Sequence, residues 1–451
     1  MGLTFRNNTR NINKKSFRIA SLVDRYSPVK TLSPYSVYIL RSLGYNVRNF
    51  GYLSIPSIDQ SVDREEERTY YPYVQSFNNS DEIQIDIHQP DAFICMSDSK
   101  LRIIGELKEE ATTTIPVAIE SEKTETSVAG ECKLTNNAGL YLFESIIYSF
   151  NGKEVEKIRD PGTTTTIHNY CAYSANQSKN LIQAGWNPNA TGHTILTQDE
   201  KTKKFEIWVP FSYIFGIFFY YRNVMFGHHS IRLVRSRNDD NAYMVTGSAK
   251  KATIKVHSVS IQAKHIYPSD KAKITLWPKI QTDKPITIGY RKCELHELPK
   301  LKTGTDKEIW SIKTTTNLET PRYIVLAFQT NIKDNHKKDV AKFSHINLRK
   351  YQAWVGSSVY PYADHSLDFT SNQYLSAYTA YMNLVQQLTG NSAADPIIDY
   401  STFANTPLFV IDCSKQPEPL KASVVDIKLE FESHENFPES TKAYCLIIHD
   451  K

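Results

Sequence analysis

The sequence predicts an all-β chain built as two consecutive halves, and three observations carry that prediction. Short runs of alternating apolar and polar residues, separated by turn residues, recur from about residue 81 to the end. Tyr (27) and Phe (20) far outnumber Met (5), a bias toward residues that fill pleated, half-buried surfaces. A convincing 3.6-residue periodicity occurs in one place, residues 371–390. Many short strands with few helices argue for a sandwich or jelly roll rather than a parallel α/β sheet. The 451 residues suggest two domains, or three, and 40% apolar content suffices for real cores.

Residues 1–80 are expected to be a basic arm and lead-in segment. Arg6, Arg10, Lys14, Lys15 and Arg18 stand in the first 18 residues without an acid. They form either an ordinary solvated terminus or an arm that contacts nucleic acid or a neighbouring subunit. Residues 61–68, SVDREEER, read as a charged loop.

The first half, 81–270, opens with EIQIDIHQP, which places Ile83, Ile85 and Ile87 on one face. LRIIGELKE follows near 101. Leu140, Leu142, Ile146, Tyr148 and Phe150 share one parity and predict a half-buried strand that turns at Asn151-Gly152, a pair suited to a type I′ hairpin. Asp160-Pro161-Gly162 predicts a second turn, with Gly162 in the left-handed position. A strand from 204 is stopped by Pro210. Phe211 to Phe219 is too uniformly apolar for periodicity to separate a short buried helix from another strand. SIRLVR alternates, and ATIKVHSVSIQAKHIYP from 252 alternates with one slip of phase that predicts a bulge.

Residues 267–285 hold three prolines and turn composition, which sets the boundary near 270. The second half, 271–451, carries strand runs in PITIGYRKCEL, EIWSIKTTT, RYIVLAFQT and YQAWVGSSVYP, a charged exposed loop in NIKDNHKKDVAKF, and the helix from 371. There Tyr374, Ala377, Tyr378, Tyr381, Leu384 and Leu388 form the apolar stripe and Gly390 the stop. PLFVIDCSK, SVVDIKLEFES and KAYCLIIHDK end the chain.

Little in the sequence points to chemistry. No GxSxG, Walker A, HExxH or GxGxxG motif is present. The six cysteines include no CxxC pair and read as buried free thiols. His228 and His229, adjacent on a strand, point to opposite faces and are poorly placed for one metal. A net charge of +5 spread over the chain does not by itself mark a nucleic-acid binder. The N-terminus lacks the apolar core of a secretory signal, so the four N-x-S/T sequons read as chance. The aromatic clusters, Phe215, Phe218 and Phe219 in one and Tyr374, Tyr378 and Tyr381 in the other, read as core packing or subunit contacts before a ligand pocket.

Four segments in order carry a resemblance: NNAGLYLFESIIYSFNGKEVEKIRDPGTTTTIHNY; EIWVPFSYIFGIFF with SIRLVR after it; YPYADHSLDFTSNQYLSAYTAYM; and the ending from PLFVIDCSK. Over most of residues 80–451 the chain resembles the double jelly-roll major capsid proteins of double-stranded DNA viruses, most of all those of Polinton-like and adintovirus-like elements. The resemblance implies two consecutive eight-stranded jelly rolls with few short helices, standing upright in a shell. It implies homotrimers of pseudo-sixfold outline that meet neighbouring capsomers and a penton protein and tile an icosahedral shell. It implies location in the virion, synthesis inside the host cell, and no catalytic residue, metal, cofactor or small-molecule substrate. The basic arm would then face genome or an inner membrane. The alternatives are a glycan- or receptor-binding β-sandwich protein, of spike or lectin type, a two-jelly-roll hydrolase such as a glycan amidase, and a domesticated viral capsid gene.

Overall fold

The computed structural model describes residues 61–109, 131–188, 203–247, 251–281, 287–312, 321–362, 366–415 and 426–450. Strands of the first half are β1 (Val62–Tyr70), β2 (Glu82–Ile87), β3 (Phe93–Glu109), β4 (Glu131–Leu134), β5 (Phe143–Phe150), β6 (Lys153–Arg159), β7 (Lys204–Pro210), β8 (His229–Arg235), β9 (Tyr243–Thr246) and β10 (Ala252–Pro268). Those of the second are β11 (Arg291–Leu298), β12 (Lys307–Ile312), β13 (Pro321–Thr330), β14 (Leu348–Val355), β15 (Ser358–Tyr360), β16 (Phe409–Asp412), β17 (Ile427–Ser433) and β18 (Thr441–Asp450).

The second half pairs its strands as β11-β18-β13-β16 and β12-β17-β14-β15. Numbered within the half, these orders are 1-8-3-6 and 2-7-4-5, two four-stranded sheets of a jelly roll. The first half gives β1-β10-β3-β7 and β2-β8-β5-β6. With the separate β4-β9 ribbon set aside, the orders are the same. The chain is a double jelly roll, and among the described residues no sheet mixes strands from the two halves. Arg64–Pro268 and Thr275–Lys451 form one compact unit that holds both rolls. Ser269–Ile274 falls in a second unit with Ser61–Asp63, where the Ser269 N–H donates to the Ser61 carbonyl at 2.9 Å.

Alternation builds each sandwich. Ile83, Ile85 and Ile87 are buried on β2, while Ile427, Leu429 and Phe431 are buried on β17 with charged residues between them. The inner faces meet ring against ring, as where Phe328 lies 5.1 Å from Phe431. The expected bulge in β10 lies between Val256 and Ser258, and a second interrupts the register between Gln262 and Lys264. The Asn151-Gly152 hairpin has φ of 49° and 78°, the two positive values that a type I′ turn requires.

Several local expectations are corrected. SVDREEER is not a loop: it forms most of β1, whose solvated edge position hides the alternation under charge. Leu140 and Leu142 precede the strand, in and after the helical turn α1 (Ala138–Tyr141). Asp160-Pro161-Gly162 is not a β-turn but the start of helix α2 (Pro161–Ala172). The Asp160 carboxylate accepts from the Thr163 N–H and Pro161 takes the first helical position, where no N–H is needed. Gly162 lies against the Tyr141 ring, where a Cβ would clash. A second short helix, α3 (Ala175–Ser178), follows α2. Residues 211–220 resolve into two short helices, α4 (Phe211–Ile214) and α5 (Gly216–Tyr220). The turn-like stretch near 270 contains α6 (Asp270–Gln281), with Pro278 inside it. YQAWVGSSVYP is not one strand but a hairpin, with Val355 opposite Ser358. The expected helix is α7 (Leu375–Thr389), ended by Gly390 at φ 65°.

Candidate assembly surfaces

Helices α2 and α7 occupy equivalent places in the two rolls, each between the fifth and sixth strands of its sandwich. Every residue of α2 is buried, although the helix opens with four threonines. Three of their hydroxyls are satisfied locally: Thr164 donates to the Arg159 carbonyl at 2.7 Å, Thr165 to Pro161 at 2.5 Å and Thr166 to Gly162 at 2.7 Å. Asn137 then donates to the Thr165 and Thr166 hydroxyls and accepts from Tyr213 at 3.1 Å.

From α2 the first roll reaches the second. The Tyr381 hydroxyl on α7 donates to the Tyr170 carbonyl at 2.8 Å, and the Tyr170 hydroxyl donates to Ala341 at 3.3 Å. The Tyr141 hydroxyl lies 3.4 Å from the Val340 carbonyl. The NIKDNHKKDVAKF segment is an exposed loop only in part: Asn331, Asp334, Lys337 and Lys338 meet solvent, while its backbone, with buried Val340, Ala341 and Phe343, seats the first roll. On the other side of the junction, buried Glu156 accepts from the Gly216 and Ile217 N–H groups, both at 3.1 Å. Gly216 in turn lies so close to the Arg291 carbonyl that no side chain fits there.

Lys333 carries the electrostatics of this junction. Its ammonium sits 2.7 Å from Asp160 of the first roll and 2.8 Å from Glu297 of the second, over the Tyr444 ring. Burial alone would lower the lysine's pKa, but the two carboxylates outweigh it and the net shift is upward. Beside it, Arg159 and Asp160 face Leu295, His296 and Glu297 across a cleft of about 380 Å³.

Other buried ionisable groups sit against neighbours within their own roll. Among the described residues, no three His, Cys, Asp or Glu side chains are grouped to hold a metal ion. None of the six cysteines forms a disulfide, and all six are buried. His229 is buried against Tyr148, 3.0 Å from its hydroxyl, and burial lowers its pKa to about 3. Glu294 lies 3.4 Å from His296 and 3.5 Å from His449, and the nearness of these rings, His449 above all, holds its carboxyl at about 2. Arg235 and Asp239 form a buried pair at 2.9 Å.

Of the residues singled out in the sequence, Arg6, Arg10, Lys14, Lys15 and Arg18 lie outside the described residues. Phe215 and Phe218 are interior, with Tyr148 4.8 Å from Phe218, and Phe219 is half-buried against Tyr173. Tyr374 and Tyr381 are buried and Tyr378 half-buried around Phe403. Sequence reasoning missed Glu156, Asp160 and Lys333. Asp-Pro after a strand was a readable helix start; Glu156 and Lys333 gave no local sign.

A family model described as a double jelly roll-like domain matches residues 132–451. A search of curated proteins found no match. Among solved structures, the Faustovirus major capsid protein is similar over 91% of this chain and 95% of its own, with TM-score 0.56 at 9% identity. The Sputnik virophage cryo-EM structure is similar over 88% of this chain and 87% of its own, with TM-score 0.55 at 9% identity. A quasi-atomic model of the PBCV-1 virus capsid covers 88% and 96%, with TM-score 0.51 at 11% identity. At such identities the likeness is one of fold. With the model spanning most of its length, this chain belongs to the double jelly roll-like domain family.

Proposed function

We propose that this chain is a major capsid protein, a structural subunit that forms homotrimers of pseudo-sixfold outline and tiles an icosahedral virus shell. The observation that carries this reading is the repetition itself: two rolls of one strand order, held in one compact unit by equivalent helices. A ring of three such chains presents six similar sandwiches, and head-to-tail contacts close it. The similar structures named above, a major capsid protein, a virophage and a virus capsid, support the same role. In this reading the rolls divide near residue 270, the protein resides in the virion, and its partners are copies of itself, adjacent capsomers and a penton protein. The subunit holds and abuts rather than transforming a molecule.

Light scattering on the purified chain, followed by electron microscopy, tests the proposal. Three-chain particles and then shells are expected; a strict monomer at high concentration overturns it. The basic arm, by its charge, belongs on the inner surface near phosphates. Deleting residues 1–18 is expected to impair packaging while sparing trimers, and unchanged packaging would remove that assignment.

A further inference from the structure

The junction within one chain is a template for the contact between chains. In each roll the fifth strand is the edge of one sheet and the first strand is the edge of the other. Within the chain, the end of the first roll's fifth strand, β6, lies against the end of the second roll's first strand, β11. Arg159 and Asp160 there face Leu295 to Glu297, and Lys333 bridges them. Two counterparts of these strand ends remain: the end of β15 in the second roll and the end of β1 in the first.

Both carry exposed aromatic residues. Tyr362, two positions past β15, is 76% exposed. Tyr71 and Tyr73, just past β1, are 60% and 80% exposed, and Val74 beside them is 62% exposed. Isolated exposed apolar residues need no explanation, but these stand at the two strand ends that the repeat leaves without a counterpart junction among the described residues. Tyrosine is also the side chain most suited to such a place, with large area and few torsions to fix.

We infer that the occupant is a second copy of this chain: the Tyr362 end of one copy packs on the Tyr71–Val74 end of the next, repeating between chains the β6–β11 junction found within each. The contact is heterologous, and in a closed ring of three no copy is left with a free end. The β1 edge itself, with Arg64, Glu65, Glu66, Glu67 and Arg68, is too charged to extend a sheet by strand pairing, which keeps the contact at its aromatic end.

This inference rests on the capsid reading, and the test separates the two. Because the native cysteines are all buried, an added surface pair reports cleanly. In the full chain, Tyr73→Cys with Tyr362→Cys is expected to give oxidised dimers and trimers on a non-reducing gel. A mixture of the two single variants is expected to give dimers, and neither single variant alone should cross-link. Trimers that do not cross-link, or single variants that cross-link with themselves, overturn the inference. Independently, Tyr362→Asp and Tyr71→Asp are each expected to weaken association at least about tenfold while leaving the folded monomer intact. Unchanged trimers refute the inference and leave the trimer reading standing, whereas a monomeric parent chain refutes both.

Discussion

The same sheet, built twice, meets opposite surroundings in the two rolls. In the second roll, β13 and β18 are buried on both faces: Tyr323 through Gln329 and Ala443 through His449 are all buried. The inner face meets Phe431; the outer meets the helices, with the Tyr323 hydroxyl bonded to Gln387 of α7. In the first roll the counterpart β3 alternates. Leu101, Ile103 and Leu107 face inward, while Arg102, Ile104 and Glu106 face outward and only half-buried. Arg102 there pairs with Glu206 at 2.7 Å and stacks on Trp208. One strand order thus tolerates a dry face or a wet one, and the sequence adapts strand by strand: YIVLAF and YCLII run unbroken, LRIIGEL does not.

The largest expected effect breaks this contrast directly. Val325 pairs across the sheet with Leu446, on the face that Tyr323 turns toward α7. A carboxylate there is buried without a partner, so Val325→Asp is expected to cost about 3–5 kcal/mol and to leave little folded protein. Ile104→Asp, on the outer face of β3, is expected to cost below about 1 kcal/mol. Urea unfolding followed by circular dichroism measures both, and equal losses would mean that the two faces are not differently covered.

A pair of lysines sharpens the comparison at smaller cost. Lys333 at the junction and Lys264 on β10 each sit between two carboxylates, Lys264 at 3.0 Å from Glu65 and 3.6 Å from Asp98. The acids beside Lys264 are more than half exposed; those beside Lys333 are not. Lys333→Met strands Asp160, leaves Glu297 only Lys442 at 3.5 Å, and is expected to cost about 2–3 kcal/mol, somewhat under the range for fully buried pairs. Lys264→Met is expected to cost below about 1 kcal/mol, since water replaces its partner.

How much of this was legible follows from where the information sits. Alternation and turn chemistry are local, so β2, β7, β8, β17, the Asn151-Gly152 hairpin and α7 could be read directly. The two unbroken strands were found as strands, but their double burial depends on helices far away in sequence. Helix α2 was missed because four threonines argue against a helix until three of their hydroxyls are seen bonding to backbone carbonyls. Its start at Asp160-Pro161 reads in the sequence equally as a turn, since both begin with the same residues. The junction residues Glu156 and Lys333 look like any surface charges in the sequence. Only the packing of one roll on the other makes them interior.

Acid acts on each roll through one strongly shifted group. His229, in the first roll, is kept neutral by burial, with a pKa of about 3 against about 6.5 in the unfolded chain. Its contribution is therefore complete above about pH 6.5 and shrinks by up to about 1.4 kcal/mol per pH unit as the pH falls toward 3. Glu294, in the second roll, is held ionised at about 2, so its contribution stands above about pH 4.5 and is lost as the pH falls through 2. Between pH 6.5 and 4.5, His229→Phe is expected to flatten the stability profile by close to one proton, read from urea midpoints at stepped pH. The deficit of Glu294→Gln is expected to close only below about pH 4.5.

The smallest effect tests the junction at one atom. Tyr381 is fully buried on α7 and its hydroxyl donates to the Tyr170 carbonyl of α2 at 2.8 Å. Phenylalanine keeps the ring, its packing near Phe403 and the apolar area, and removes only the donor. The Tyr170 carbonyl closes α2 near its last turn, where helix carbonyls lack an intrahelical donor, so it is left buried and unpaired. Tyr381→Phe is therefore expected to cost about 1–2 kcal/mol. Because that bond joins the two rolls, the loss should appear as faster amide exchange at the end of α2 as well as in the global unfolding midpoint. A loss confined to α7 would mean that the helices pack side by side without this bond coupling them, and that the junction's strength lies with Glu156 and Lys333 instead.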